Sequence, residues 1–262
     1  MEVYTLASSS SGNCTLVSHG GTHILIDAGI SMRRTAACLA DIGLTLGDIN
    51  GIVVTHGHSD HIGGIKMIVK YHKTQIFATT GTGHDILGSD PAVMPHIALF
   101  EAGAELEIGN IAVKSYSTPH DAPESVGFRL TAGGKKLMYT TDLGHVTSEI
   151  MELARGADMA VIEANYDVEM LKNGAYPYYL KKRIMSARGH LSNDDSGVYA
   201  AALAQSGTRK IVLAHLSREN NLPNVARETV AKALRSCGAE PGRDVELDVA
   251  HPDLMGKKYV IE

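Results

Sequence analysis

The sequence has no tryptophan, three phenylalanines and three cysteines in 262 residues. Cys14, Cys38 and Cys237 are scattered and odd in number, which argues against a disulfide framework or a CxxC metal site and leaves ordinary small thiols. No stretch approaches the roughly 18–20 uninterrupted apolar residues of a membrane helix, so no membrane partner is expected. The opening Met1-Glu2-Val3-Tyr4 lacks a basic region followed by an apolar run, and the expectation is a cytoplasmic protein. Low-complexity tracts, Pro/Ser-rich linkers and short repeats are also missing, so residues 1–262 are expected to form a single domain. The formal net charge of -5 is no footprint of a general nucleic-acid binder. Bound divalent cations would still add positive charge where a phosphate docks.

What is abundant is histidine, thirteen residues in a chain of otherwise ordinary composition, with 44% hydrophobic and 20% charged residues. Short apolar segments alternate with helical patterns. Strands are expected at Val3–Leu6, Cys14–Ser18, His23–Asp27, Ile49–Thr55 and Gln75–Ala78, then at Glu105–Ile108, Ile111–Tyr116, Val126–Thr131, Lys136–Thr140, Met159–Glu163, Lys210–Ala214, Glu246–Val249 and Lys258–Ile261. Helices are expected at Thr35–Ile42, Ile62–Tyr71, Asp194–Ser206 and Val225–Cys237. This mixture implies a layered α/β architecture.

The densest chemistry is His56-Gly57-His58-Ser59-Asp60-His61, directly after the apolar strand Ile49–Thr55. In an extended chain His56 and His58 are two residues apart and project the same way. Asp60 and His61 then open the next helix, where adjacent side chains diverge and can address a second metal. Imidazole nitrogen and carboxylate oxygen suit zinc, manganese or iron. Gly63-Gly64 lets the backbone pack close to this motif. A two-metal site needs further ligands from later strand ends, and His120, Asp142 and His215 each follow one. Any one of them alone reads as a turn or cap residue; together they complete a ligand set.

The order HxHxDH, then a strand-end His, a strand-end Asp and a strand-end His resembles the metallo-β-lactamase superfamily. The resemblance implies a four-layer αβ/βα sandwich of two mixed sheets, with one metal on His56, His58 and His120, the other on Asp60, His61 and His215, and Asp142 bridging. Asp27, in Leu25-Ile26-Asp27-Ala28-Gly29, matches an early acidic motif that supports a ligand from behind. Four further stretches resemble the narrower YycJ (WalJ) group of metal-dependent exonucleases: residues 6–14, LASSSSGNC; 170–177, MLKNGAYP; 188–193, RGHLSN; and 213–221, LAHLSRENN. One departure is Tyr166, where that group is expected to carry His.

By this resemblance two divalent ions hold a hydroxide that Asp60 orients, the attacked group is a phosphodiester, and the substrate is DNA. His190, in a Gly-His-Leu-Ser-Asn turn before a helix, is the candidate proton donor to the leaving oxygen, histidine being the side chain most often used for that task. Lys181, Lys182, Arg183 and Arg188, with Arg218 beyond His215, are interleaved with Tyr176, Tyr178 and Tyr179, the residue types that phosphate contact and base stacking require. A run of charge is also what a solvated face looks like. The remaining histidines, His19, His23, His72, His84, His96, His145 and His251, are assigned structural or surface places, and Ser8–Ser11 a tight turn. The alternatives are a phosphodiesterase of small cyclic or nucleotide-like esters and a non-catalytic metal-binding regulator on the same scaffold.

Overall fold

Runs of β-branched and aliphatic residues broken by Gly-rich turns open the chain. In the computed structural model, which describes residues 1–262, they form an antiparallel meander of β1 (Glu2–Ala7), β2 (Cys14–His19) and β3 (Thr22–Ile26). Helix α1 (Met32–Asp41) then carries the chain to β4 (Gly51–Val53), parallel to β3. Helices α2 (Ser59–Ile62) and α3 (Ile65–His72) lead to β5 (Ile76–Thr79), and α4 (Thr80–Ser89) to β6 (Ile97–Phe100), both strands parallel to their predecessors. A second meander follows: β7 (Glu105–Ile108), β8 (Ile111–Ser117) and β9 (Val126–Ala132).

From β10 (Lys135–Thr140) the pattern is parallel again. Helix α5 (Ser148–Ala154) precedes β11 (Met159–Glu163); α6 (Val168–Asn173), α7 (Tyr178–Ile184) and α8 (Asn193–Gln205) precede β12 (Lys210–Ala214); α9 (Pro223–Ser236) precedes β13 (Glu246–Val249). The short β14 (Tyr259–Val260) returns antiparallel to β1. The strands make two mixed seven-stranded sheets, ordered β14-β1-β2-β3-β4-β5-β6 and β13-β12-β11-β10-β9-β8-β7.

The chain divides into two compact units. The first comprises residues 1–117, 122–134 and 251–262, the second residues 118–121 and 135–250. In the first, Leu6, Leu16, Leu25, Leu39, Ile52, Ile65 and Ile68 lie within one buried apolar cluster. In the second, β11 is buried along its whole length and β12 along all but Lys210, as expected of parallel strands covered on both faces. Such strands leave their carboxyl ends as the places where polar side chains can gather. Asp27, Asp142, Glu163 and His215 sit on or just beyond the ends of β3, β10, β11 and β12.

The expected strands all form, with ends shifted by at most one residue except for Ile49–Thr55, which loses two at each end to become Gly51–Val53. The expected helix Ile62–Tyr71 divides instead, because Gly63 and Gly64 interrupt it. The Gly64 amide donates to the Ala28 carbonyl at 2.7 Å, and a Cβ on Gly64 would lie 2.2 Å from the Ile30 carbonyl oxygen. Helix α4, unexpected from sequence, contains Gly81, Gly83 and Gly88, which lower its intrinsic propensity; Thr79 caps it by accepting from the Thr82 amide.

Gly64→Ala should therefore destabilise the protein by about 2 kcal/mol or more, since a fixed carbonyl rather than a flexible side chain blocks the methyl. Urea unfolding followed by circular dichroism measures this, and a midpoint equal to the parent's would show that the Ala28–Ile30 backbone can yield.

Candidate metal centre

In the first unit, strand β4 delivers the chain to Thr55, whose amide donates to Asp27 Oδ1 at 2.8 Å and whose hydroxyl donates to Asp27 Oδ2 at 2.9 Å. Asp27 is fully buried and has a left-handed backbone, φ 60°. Its Oδ2 lies 2.7 Å from His61 Nδ1, which leaves the other ring nitrogen of His61 to face outward from this anchor. The Thr55 hydroxyl also lies 3.1 Å from His56 Nδ1, so His56 likewise turns Nε2 the other way. That Nε2 is 3.0 Å from His58 Nδ1, and the two rings meet edge to face. His56 and His58 thus project together, as their spacing predicts.

Asp60 and His61 lie in α2, with His61 Nε2 3.4 Å from Asp60 Oδ2. Asn13 reaches both: its Nδ2 is 3.3 Å from Asp60 Oδ2 and 3.1 Å from His61 Nε2. The Asn13 amide donates to the Asp60 carbonyl, and Gly29 donates to the Asn13 carbonyl, each at 2.8 Å. A Cβ on Gly29 would fall 1.6 Å from the Asp60 carbonyl oxygen, so only glycine permits this corner. Asn13 lies in the Ser-rich stretch 6–14, where the sequence reading gave it no role. Ser8–Ser11 does turn tightly, with the Ser11 amide donating to Ser9 Oγ and the Gly12 amide to Ser9 O.

In the second unit, Glu163 organises the site, and the sequence reading missed it. It is the last residue of β11 and has no exposure. Oε1 is 2.7 Å from His190 Nδ1 and 2.9 Å from His215 Nδ1; Oε2 accepts from the amides of Leu143 and Leu191 at 3.2 and 3.1 Å. Burial works to raise the Glu163 pKa, but the charge and hydrogen bonds of His190 and His215 outweigh it and hold the carboxyl well below the usual range. The available signal was an acid closing the otherwise apolar run Met159-Ala160-Val161-Ile162.

Asp142 Oδ1 lies 3.3 Å from His215 Nδ1, 3.7 Å from His190 Nδ1 and 3.9 Å from His120 Nε2. His120 is buried, and its Nδ1 lies 3.1 Å from the Gly189 carbonyl. Burial lowers its pKa against the pull of Asp142, which favours the neutral, ligand-competent ring. Asp142 and His215 have left-handed backbones, φ 58° and 56°, conformations that cost on the order of 1 kcal/mol each for residues with a side chain. The His215 turn is clamped by Asn165, whose Nδ2 donates to the His215 carbonyl at 2.8 Å, and by Asn221, which donates to the carbonyls of Ala164 and Asn165. Tyr166 packs into the same region; it is buried, and that burial pushes its hydroxyl up to about 12. His145, assigned a structural or surface place, has Nδ1 3.0 Å from the Ala187 carbonyl and helps hold the loop before His190.

Each unit gathers its own sequence-predicted residues: His56, His58, Asp60 and His61 in the first, His120, Asp142, His190 and His215 in the second. The donor set fits divalent metals. Imidazoles anchored through Nδ1 present Nε2, and carboxylates stand beside them. Separations of 3.0 Å between His56 Nε2 and His58 Nδ1, and 3.4 Å between His61 Nε2 and Asp60 Oδ2, match the edge of about 3.3 Å expected for ligands on one tetrahedral zinc.

Residues 22–216 match the model of the β-lactamase superfamily domain. The chain is 35% identical over 259 residues to exodeoxyribonuclease YycJ of Bacillus anthracis, covering 97% of each. It is 34% identical to exodeoxyribonuclease WalJ of Streptococcus pneumoniae, covering 95% of this chain and 93% of that one. Among solved structures, zinc-bound PqqB of Methylobacterium extorquens superposes with a TM-score of 0.73 at 19% identity, covering 98% and 100% of the two chains. No helix is long and apolar enough to cross a membrane. Two mixed seven-stranded sheets, the His/Asp clusters at their strand ends and these matches agree: the chain belongs to the metallo-β-lactamase superfamily and, within it, to the group of YycJ and WalJ.

Proposed function

We propose that this chain is a metal-dependent DNA exonuclease in which His56, His58, Asp60, His61, His120, Asp142 and His215 would hold two divalent ions and His190 is the proton donor. The observation that carries the reading is Glu163 Oε1, set between the Nδ1 atoms of His190 and His215. The DNA substrate is supported by the activity named for the YycJ and WalJ relatives. When bound, the two ions would activate water and offset the charge that builds on the phosphoryl oxygens.

The chain's own residues do the rest. Glu163 fixes the tautomer of His215, so that Nε2 is the ligand nitrogen, and orients His190 the same way. His190 keeps about a fifth of its side chain exposed, whereas His120 and His215 are almost wholly covered. That is the profile of a group that meets substrate and exchanges protons. His190 then protonates the departing 3′ or 5′ oxygen, while Glu163 stabilises the cationic ring beforehand. Asp60, steadied by Asn13, is the carboxylate that orients the attacking water. DNA as substrate would set the enzyme to work in the cytoplasm.

The purified protein should release nucleotides from end-labelled DNA with manganese or zinc supplied and lose that activity in a chelator. Cleavage confined to a chromogenic phosphodiester would transfer the assignment to small esters. His190→Ala should slow DNA cleavage by about 100-fold or more while metal content by mass spectrometry stays at the parent's level. Its effect on bis(4-nitrophenyl) phosphate should be far smaller, because nitrophenolate leaves without a proton; equal losses on both substrates would remove His190 from the proton-donor role. Glu163→Gln should impair both DNA cleavage and retention of metal, since one carboxylate serves both rings; unchanged metal content would restrict its role to His190.

A further inference from the structure

Between Glu169 and Asp194 the chain carries five basic residues, three tyrosines and no acid. The net charge of -5 is therefore the sum of +5 in this stretch and -10 elsewhere. At its centre is α7, which has no buried residue. Its aliphatic residues Leu180 and Ile184 are only half-buried, so core packing contributes little and other contacts must help fix the helix, while its aromatic content is left to explain.

What fixes it is polar. Lys181 Nζ donates to the carbonyls of Lys172 and Gly174, each at 2.7 Å. Arg183 donates to the carboxylate of Asp121, the neighbour of His120. Arg188 Nε donates to the His120 carbonyl at 2.9 Å, and the His190 amide donates to the Ile184 carbonyl at 2.9 Å. Gly189 is pressed against the carbonyls of Arg183 and Ile184, where a Cβ would come within 2.0 Å of Ile184 O. Two cations, Arg183 and Arg188, thus hold the C-terminal end of α7 and the loop after it against the residues around His120, while Lys181 ties the helix to the turn before it. Lys182 remains exposed beside them.

At the other end stand Tyr178 and Tyr179, 78% and 74% exposed, two adjacent rings that the fold does not use. Six helical steps separate Tyr178 from Ile184, about 9 Å along the axis. A stacked strand advances about 3.4 Å per nucleotide, so the rings stand about three nucleotides from the His190 end of the helix. Exposed aromatics beside cations, on a rigid support at a fixed remove from the proton donor, are what a sequence-indifferent grip on a single strand requires.

We propose that α7 is a docking platform for the unpaired end of the DNA strand, with Tyr178 and Tyr179 stacking on bases and Lys182 meeting a phosphate. The platform rests on the nuclease reading and adds to it the part of the surface that holds the strand. Its test is fluorescence anisotropy of a labelled twelve-nucleotide oligothymidylate with phosphorothioate linkages, which the metal-loaded protein can bind without consuming. Tyr178→Ala/Tyr179→Ala should weaken binding by about tenfold or more per ring, with unchanged melting temperature and metal content, and Tyr178→Phe/Tyr179→Phe should restore it. Lys182→Gln should weaken binding modestly and reduce the slope of log affinity against log salt by about one. Parent-like affinity in the alanine variant overturns the platform while leaving the nuclease intact. Loss in the phenylalanine variant overturns stacking as its basis. A parent protein that neither binds nor cleaves any strand overturns both readings.

Discussion

Two buried carboxylates set the geometry on which everything else at the strand ends depends. Asp27 and Glu163 have no exposure, and each lies within hydrogen-bond distance of the Nδ1 side of an imidazole. An ionised carboxyl in so dry a place is costly unless its oxygens are fully used. Asp27 accepts from the Thr55 amide and hydroxyl as well as facing His61; Glu163 accepts from two amides and faces two rings. The same contacts that make burial tolerable dictate which nitrogen of each histidine is left to act. Stability and chemical competence are in this respect one requirement.

Much of this was legible in the chain. The cluster from His56 to His61 announces itself because six consecutive residues carry four donor side chains after an apolar strand. His120, Asp142 and His215 were found because each follows a recognisable strand, the antiparallel β8 for the first and β10 and β12 of the parallel set for the others. Glu163 escaped because it belongs to such a strand rather than following it, and one acid closing a buried run carries no spacing that marks it out. Asn13 escaped for a different reason: a carboxamide in a turn full of serines looks like turn chemistry, and only the fold brings it 47 residues along the sequence to Asp60. Helices α4 to α7 were invisible because glycines, short lengths or the lack of an apolar stripe remove the periodicity on which recognition depends.

The supporting asparagines show how a loop can be made as firm as a strand. Asn165, Asn193 and Asn221 bond to one another's backbone or side chains and to the carbonyls around His215, and Asn165 lies two residues past Glu163. The polypeptide leaves the sheet at β11 and β12 but does not gain freedom there. Ligand-bearing turns need this, because a misplacement of about 1 Å is enough to lose most of a site's rate advantage.

Asp27, Asp142 and His215 share one further property, a backbone twisted to the left at the point where a strand ends. A glycine in any of these places would relax the chain and remove the side chain that does the work. The fold thus sits uphill of a more comfortable version of itself, and drift towards that version would yield a sturdier protein with nothing left to catalyse. At these three positions the costly torsion coincides with the side chains that the proposed chemistry uses.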